Sequence, residues 1–276
     1  FNDTKSVLTK QQIISLSKDC DGIIAGTEKY DDEIFDQLLK LKVVSRLGVG
    51  VDNIDLNALK KRDIILKITK EHPSVAVAEL VIGLIINLLR NISLSDKEIR
   101  LSIWNKQMGS LLSGKTIGII GLGKIGRELV RLLKPFKVKI LINDIKHEKD
   151  FLQKYDCEFS SLESLISNSD IISVHMNSSE ENKEMFNEKI FKKMKDTALF
   201  INTSRGSLVN ENDLIKALNL NQIAGAALDV FKEEPYKGNL IKLNNLIMTP
   251  HIGSYAKEIR NRMEIEAAEN IIDILS

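Results

Sequence analysis

Residues 116–126 read Thr-Ile-Gly-Ile-Ile-Gly-Leu-Gly-Lys-Ile-Gly, and they constrain the fold more than any other stretch. A short apolar run leads straight into Gly121, Gly123 and Gly126 and then into an amphipathic segment over 124–134. G-x-G-x-x-G between a strand and a helix has a mechanical meaning. The first glycine permits a tight turn, the second lets a phosphate approach the backbone, and the third lets helix and strand pack closely. The helix start, here Lys124 and Ile125, offers unpaired N–H groups and the positive end of the helix dipole. A second apolar run ends at Asp144, 18 residues beyond Gly126 (144 − 126). A carboxylate there accepts ribose hydroxyls and repels a 2′-phosphate. The pattern predicts a dinucleotide site that favours NAD over NADP.

The strand–helix rhythm of this motif runs along the chain. Apolar runs at 22–25, 42–46, 64–68, 116–120, 138–143, 171–175, 198–202, 223–227 and 246–248 read as strands. They are continuous rather than alternating, as expected of parallel strands covered on both faces. Helices lie between most of them, so the fold class is α/β with doubly wound parallel sheets. The rhythm breaks near Pro73. Residues 74–90 (SVAVAELVIGLIINLLR) form the most apolar helix, and a second helix is expected to run on to about Gln107. A domain junction is expected there, with residues 74–253 as the nucleotide-binding unit and residues 1–73 and 254–276 as the other. A helix over 9–17 starts with a capping box, Thr9 with Gln12. No strand precedes it, so the first strand of that domain is expected to be missing.

Composition removes several classes of function. At 276 residues the chain is long enough for two cores, and 43% apolar with 28% charged residues is an ordinary globular balance. A formal net charge of +1 gives no overall field for nucleic acid or an anionic membrane. The apolar run at 80–89 is too short to span a bilayer. Cys20 and Cys157 support neither a disulfide framework nor a four-ligand zinc site, so no metal is expected. No secretory leader is visible, and a cytoplasmic protein is expected.

A bound nicotinamide needs protein groups for the proton and the substrate. Oxidation of a hydroxy acid calls for a base, a cation for the carboxylate and a group that tunes the base. Candidates stand just after strands, where ligands bind in open α/β sheets. Arg205 lies in Asn-Thr-Ser-Arg-Gly, and a guanidinium there can clamp a carboxylate through two bonds. Glu234 lies in Asp-Val-Phe-Lys-Glu-Glu-Pro, with neighbouring Glu233 competing for the same role. His251 lies in Thr-Pro-His-Ile-Gly, a fixed turn between Pro250 and Gly253. Of the other histidines, His147 sits among surface charge and His72 in a polar segment, while His175 at a strand end is the rival.

In order, Ser45–Asp55 (SRLGVGVDNID), Val-Ala-Glu-Leu at 77–80, the glycine loop, Asn-Thr-Ser-Arg-Gly, Ala-Ala-Leu-Asp-Val-Phe at 226–231, Glu234-Pro235 and Pro-His-Ile-Gly resemble the D-isomer-specific 2-hydroxyacid dehydrogenases. The resemblance covers nearly the whole chain. It implies a Rossmann NAD domain inserted in a flavodoxin-like substrate domain built from both chain ends. It implies that Arg205 binds the substrate carboxylate and keto oxygen, that His251 is the acid/base, and that Glu234 pairs with His251 and favours its protonated form. The backbone of Leu47, Gly48, Val49 and Gly50 would help hold the carboxylate. Asp229 would lie by the nicotinamide amide, with Thr203, Ser204 and Met176 along the cofactor. Where the family often has His-x-Pro, this chain reads His175-Met176-Asn177. Homodimerisation through helices matching 74–107 is implied as well. The 45–55 segment is most like the phosphoglycerate dehydrogenase branch, which makes 3-phosphoglycerate the expected substrate. Glyoxylate, hydroxypyruvate or another small 2-keto acid is the alternative, and a non-enzymatic NAD-sensing corepressor of the same fold is a further one. A formate dehydrogenase-like reading fits less well, because that branch resembles this fold but carries glutamine where Glu234 stands.

Overall fold

The computed structural model describes residue 2, residues 7–70 and residues 73–276, so His72 lies outside the described residues. In chain order the elements are α1 (Lys10–Ser17), β1 (Gly22–Ala25), α2 (Asp32–Gln37), β2 (Val43–Arg46), α3 (Leu56–Lys61) and β3 (Ile65–Ile68). Next come α4 (Ser74–Arg90), α5 (Ile92–Arg100), β4 (Thr116–Ile120), α6 (Lys124–Leu133), β5 (Lys139–Asn143), α7 (Lys149–Lys154) and β6 (Glu158–Phe159). They are followed by α8 (Leu162–Asn168), β7 (Ile171–Val174), α9 (Glu188–Phe191), β8 (Leu199–Asn202), α10 (Glu211–Asn219), β9 (Gly225–Leu228), β10 (Leu246–Met248) and α11 (Lys257–Leu275). The chain separates into two compact units, residues 1–72 with 255–276 and residues 73–254.

In the first unit β1, β2 and β3 form a parallel sheet in that order. Val43, Val44 and Ser45 of the middle strand are fully buried. α1 starts on the expected capping box: Thr9 Oγ1 accepts the Gln12 N–H, and Gln12 Oε1 accepts the Thr9 N–H at 2.9 Å. α11 covers all three strands and buries Ile259, Met263 and Ala267.

The second unit holds a seven-stranded sheet in the order β10-β9-β8-β7-β4-β5-β6, and the strand pairs are parallel. Strand alternation divides its core in two. Ile117, Ile119, Ile140, Ile142 and Ile201 pack with Val81, Leu84 and Ile85 of α4 and Leu129, Val130 and Leu133 of α6. Ile120, Ile172, Val174 and Phe200 pack with Phe186, Phe191 and Leu214 on the other face. Chain order reverses between β4 and β7, so the loops after these strands diverge there. That is where doubly wound folds open a ligand crevice.

Several local expectations change. α5 ends at Arg100 and not near Gln107. Ser102 turns left-handed at φ 61°, and the Ile103 N–H returns to the Glu98 carbonyl at 2.9 Å, a closure typical of helix ends. Gln107 then folds back to donate to the Glu98 carboxylate. β6 was not foreseen, because two half-polar residues on a sheet edge carry no strand pattern. β9 begins at Gly225 rather than at residue 223, and β7 stops before His175. Among the described residues no single helix is long and apolar enough to cross a membrane.

Gly118 in β4 faces α8, where a Cβ would collide with Leu165 and the Ser169 hydroxyl. Gly118→Val is expected to cost about 1–3 kcal/mol through overpacking. A lower urea midpoint shows this; an unchanged midpoint would mean that α8 can step away.

Candidate active site

The glycine loop follows β4 and opens α6. Gly121 has φ +99°, and a Cβ there would lie 2.7 Å from the carbonyl carbon of His175. A Cβ on Gly126 would collide with the Gly121 carbonyl. A Cβ on Gly123 would meet nothing within 4 Å. Packing therefore demands two of the glycines, while the third leaves open space before the helix. Among the described residues no side chain caps α6, so the first-turn N–H groups at Lys124 and Ile125 are left for a ligand. Asp144, directly after β5, accepts the Leu122 N–H at 2.6 Å and the Lys146 N–H at 2.8 Å. It braces the loop from the place where a ribose-binding carboxylate is expected.

The strand register places His175 and Thr203 just beyond Val174 and Asn202, which pair across β7 and β8. Both residues carry a buried polar atom with no hydrogen-bond partner among the described residues, His175 Nδ1 and Thr203 Oγ1. Ser204 is engaged by Asn202, and Met176 packs on the neighbouring apolar core. Open space at Gly123, uncapped helix N–H groups and unmatched polar atoms along one sheet end fit a dinucleotide with hydrogen-bonding groups along its length.

The three charged candidates follow β8, β9 and β10, which lie side by side. His251 Nδ1 is 2.8 Å from Glu234 Oε2. The side chains stay 38% and 33% accessible, so the pair is braced yet reachable. The second oxygen, Glu234 Oε1, accepts the Phe231 N–H at 3.0 Å. Burial pushes the Glu234 carboxyl up, but the hydrogen bond and charge of His251, the Phe231 N–H and the charge of Arg205 together hold it below the usual value. Arg205 thus acts on the same carboxylate as His251, and Glu234 rather than Glu233 takes the pairing role. Arg205 Nη1 also donates to the Ser204 carbonyl at 2.7 Å.

His251 sits in a left-handed conformation, φ 55°. Its N–H donates to the Asp229 carbonyl at 2.9 Å. The Asp229 carboxylate accepts from Thr249 Oγ1 at 2.6 Å, from the Ile252 N–H at 2.8 Å and from the Gly253 N–H at 2.9 Å. Burial pushes this carboxyl above its usual value, against the pull of those bonds. The anchoring of the His251 turn by Asp229 was not foreseen, because the bonded groups lie 20 or more residues apart in sequence.

Residues 82–253 match the family model described as D-isomer specific 2-hydroxyacid dehydrogenase, NAD binding domain. The chain belongs to the D-isomer specific 2-hydroxyacid dehydrogenases. It is therefore an NAD-dependent oxidoreductase of small 2-hydroxy and 2-keto acids. It is 40% identical to a glyoxylate reductase of Thermofilum pendens, over 97% of this chain and 82% of that protein. Identity to a D-3-phosphoglycerate dehydrogenase of Synechocystis is 33%, over 99% of this chain and 50% of that one. The solved D-lactate dehydrogenase of Escherichia coli superposes with a TM-score of 0.88 at 26% identity, covering 97% of this chain and 86% of that one.

In this dehydrogenase the rival histidine has a different environment. His175 Nε2 pairs with Ser173 Oγ at 2.8 Å, and burial pushes its pKa down from 6.5 to about 4. Above pH 6.5 folded and unfolded chains both hold it neutral. As pH falls from 6.5 to 4 only the unfolded chain gains the proton, so stability is lost across that window. Denaturant unfolding between those limits is expected to lose stability less steeply in His175→Gln than in the wild type. Equal slopes would show that His175 is not the group responsible.

Proposed function

We propose that this dehydrogenase reduces a short 2-keto acid, with glyoxylate or hydroxypyruvate as the first choice, and runs the reverse oxidation with the same groups. The observation that carries the chemistry is the His251–Glu234 pair beside Arg205, on three adjacent strand ends. Bound NADH supplies the hydride that adds to C2. His251, with Nδ1 held by Glu234, is left to give a proton from Nε2 to the carbonyl oxygen and to take it back in oxidation. Glu234, 2.8 Å from Nδ1, holds the ring in place and faces the imidazolium whenever His251 carries the proton. Arg205 clamps the carboxylate and polarises the keto oxygen. When the cofactor is bound, Asp144 would take the ribose hydroxyls, the Gly121–Gly126 loop the pyrophosphate and Asp229 the nicotinamide amide, with Thr203, Ser204 and Met176 along its length.

Glyoxylate comes first because the 40% identical relative carries that name and is covered over most of its length. A second reading, 3-phosphoglycerate with its keto acid, is supported by the 33% identical D-3-phosphoglycerate dehydrogenase of Synechocystis, of which this chain covers half. The Leu47 N–H is spent on the Ala25 carbonyl and the Gly48 N–H on Thr69 Oγ1, so Val49 and Gly50 are the donors proposed for the carboxylate.

NADH oxidation with glyoxylate, hydroxypyruvate, pyruvate and 3-phosphohydroxypyruvate tests both readings. His251→Ala is expected to lower turnover on the order of 10²- to 10⁴-fold. Arg205→Lys is expected to be nearly as damaging, since lysine lacks the planar fork. Full activity in either variant would remove that residue from the mechanism, and NADH binding without turnover on any acid would favour a sensor.

We also propose a homodimer through α4, α5 and the segment after them, where Leu101, Trp104, Met108 and Leu111 are 63%, 83%, 93% and 72% exposed. Light scattering is expected to give twice the chain mass, and Trp104→Glu is expected to give one chain mass; a monomeric wild type would refute the interface.

A further inference from the structure

We propose that Asn202 is the positioning residue for the Arg205 guanidinium, an inference that rests on reading Arg205 as the carboxylate clamp. Asn202 ends β8, is fully buried, and pairs in register with Val174 on one side and Leu228 on the other. It therefore moves with the centre of the sheet. Its carboxamide is spent at both ends on two residues of the following loop, Ser204 and Arg205. Oδ1 accepts the Ser204 N–H at 3.0 Å and the Ser204 hydroxyl at 2.8 Å, while Nδ2 donates to the Arg205 carbonyl at 2.8 Å.

Together these bonds fix the backbone on both sides of the Arg205 nitrogen. Arg205 is left extended, at φ −140° and ψ 138°, just before the tight turn Gly206–Leu208. The far side of that turn is equally constrained. A Cβ on Gly206 would collide with the Phe231 carbonyl, and the Phe231 N–H holds Glu234 Oε1 at 3.0 Å. The loop that aims Arg205 is thus seated between the Asn202 carboxamide and the loop that aims Glu234.

Side-chain chemistry narrows the requirement. Only a carboxamide of this length combines an acceptor for Ser204 with an N–H donor for the Arg205 carbonyl. Aspartate matches its shape but has no such donor when ionised, and serine can accept from Ser204 but is too short to reach residue 205. A bond that merely strengthened the turn would show in stability alone. A bond that aims the guanidinium shows in substrate binding, because misplacement by about 1 Å can cost on the order of 100-fold.

The experiment compares wild type, Asn202→Asp, Asn202→Ser, Arg205→Ala and Asn202→Ser/Arg205→Ala. It reads KM and kcat for glyoxylate, Kd for NADH by fluorescence, and the thermal midpoint. Both Asn202 single variants are expected to raise KM for glyoxylate on the order of 10- to 100-fold with Kd for NADH unchanged. In the Arg205→Ala background, Asn202→Ser is expected to add nothing, since the group it aims is gone. Wild-type KM in both Asn202 variants, parallel loss of NADH and glyoxylate binding, or a full additional loss without Arg205 would each overturn the proposal. If Asn202→Asp does not fold, Asn202→Ser decides; if the neutral serine also abolishes folding, Asn202 is a structural residue and the proposal is overturned. Arg205→Ala with wild-type KM would instead overturn the clamp itself, which separates failure of that reading from failure of this one.

Discussion

The turn that carries His251 in the second unit hangs on the buried carboxylate of Asp229. A non-glycine residue in the left-handed region costs about 1–2 kcal/mol, and His251 stands there at φ 55°. Its own side chain cannot compensate, because it is committed to Glu234. Asp229 supplies the restraint from the neighbouring strand by accepting three hydrogen bonds from the turn around His251. Each has to offset the desolvation that pushes the Asp229 carboxyl upward. A buried carboxylate is tolerable there only because its acceptor sites are used.

Two acidic groups on one strand-end loop region thus have separate duties set by their surroundings. Asp229 is buried and holds backbone. Glu234 is a third exposed, faces His251 and feels the charge of Arg205, and its carboxyl is held low. Opposite shifts of two nearby carboxyls are the mark of divided roles. Sheet geometry makes the division possible, since β8, β9 and β10 are in parallel register and end side by side.

Much of this was legible in the sequence, because strand, loop and helix signals are local. The glycine loop, Asp144 and the strand ends carrying Arg205, Glu234 and His251 are all read within short windows. The rest depends on contacts between distant residues. Nothing near Asp229 announces that Thr249, Ile252 and Gly253 will claim its oxygens. Resemblance implies a place for Asp229 near the nicotinamide, and the fold adds a second duty, since its carboxylate anchors the His251 turn. The end of α5 at Arg100 depends on such contacts as well. Polar residues through Gln107 are compatible with a helix, and the reversal at Ser102 is decided by capping bonds to Glu98 and Ile99. β6 exists only because β5 offers it an edge.

The contrast between His175 and His251 shows how two strand ends of the same sheet give a histidine different surroundings. Both follow parallel strands near the ligand-facing end. His175 is enclosed under the glycine loop with a serine hydroxyl as partner, and burial without a compensating carboxylate drives it toward the neutral form. A ring held neutral down to about pH 4 cannot supply a proton near neutrality. His251 lies one strand beyond Asp229 on a partly exposed turn, and a carboxylate stands 2.8 Å from its Nδ1. The difference comes from the neighbours each strand end delivers, a buried hydroxyl in one case and a paired carboxylate in the other.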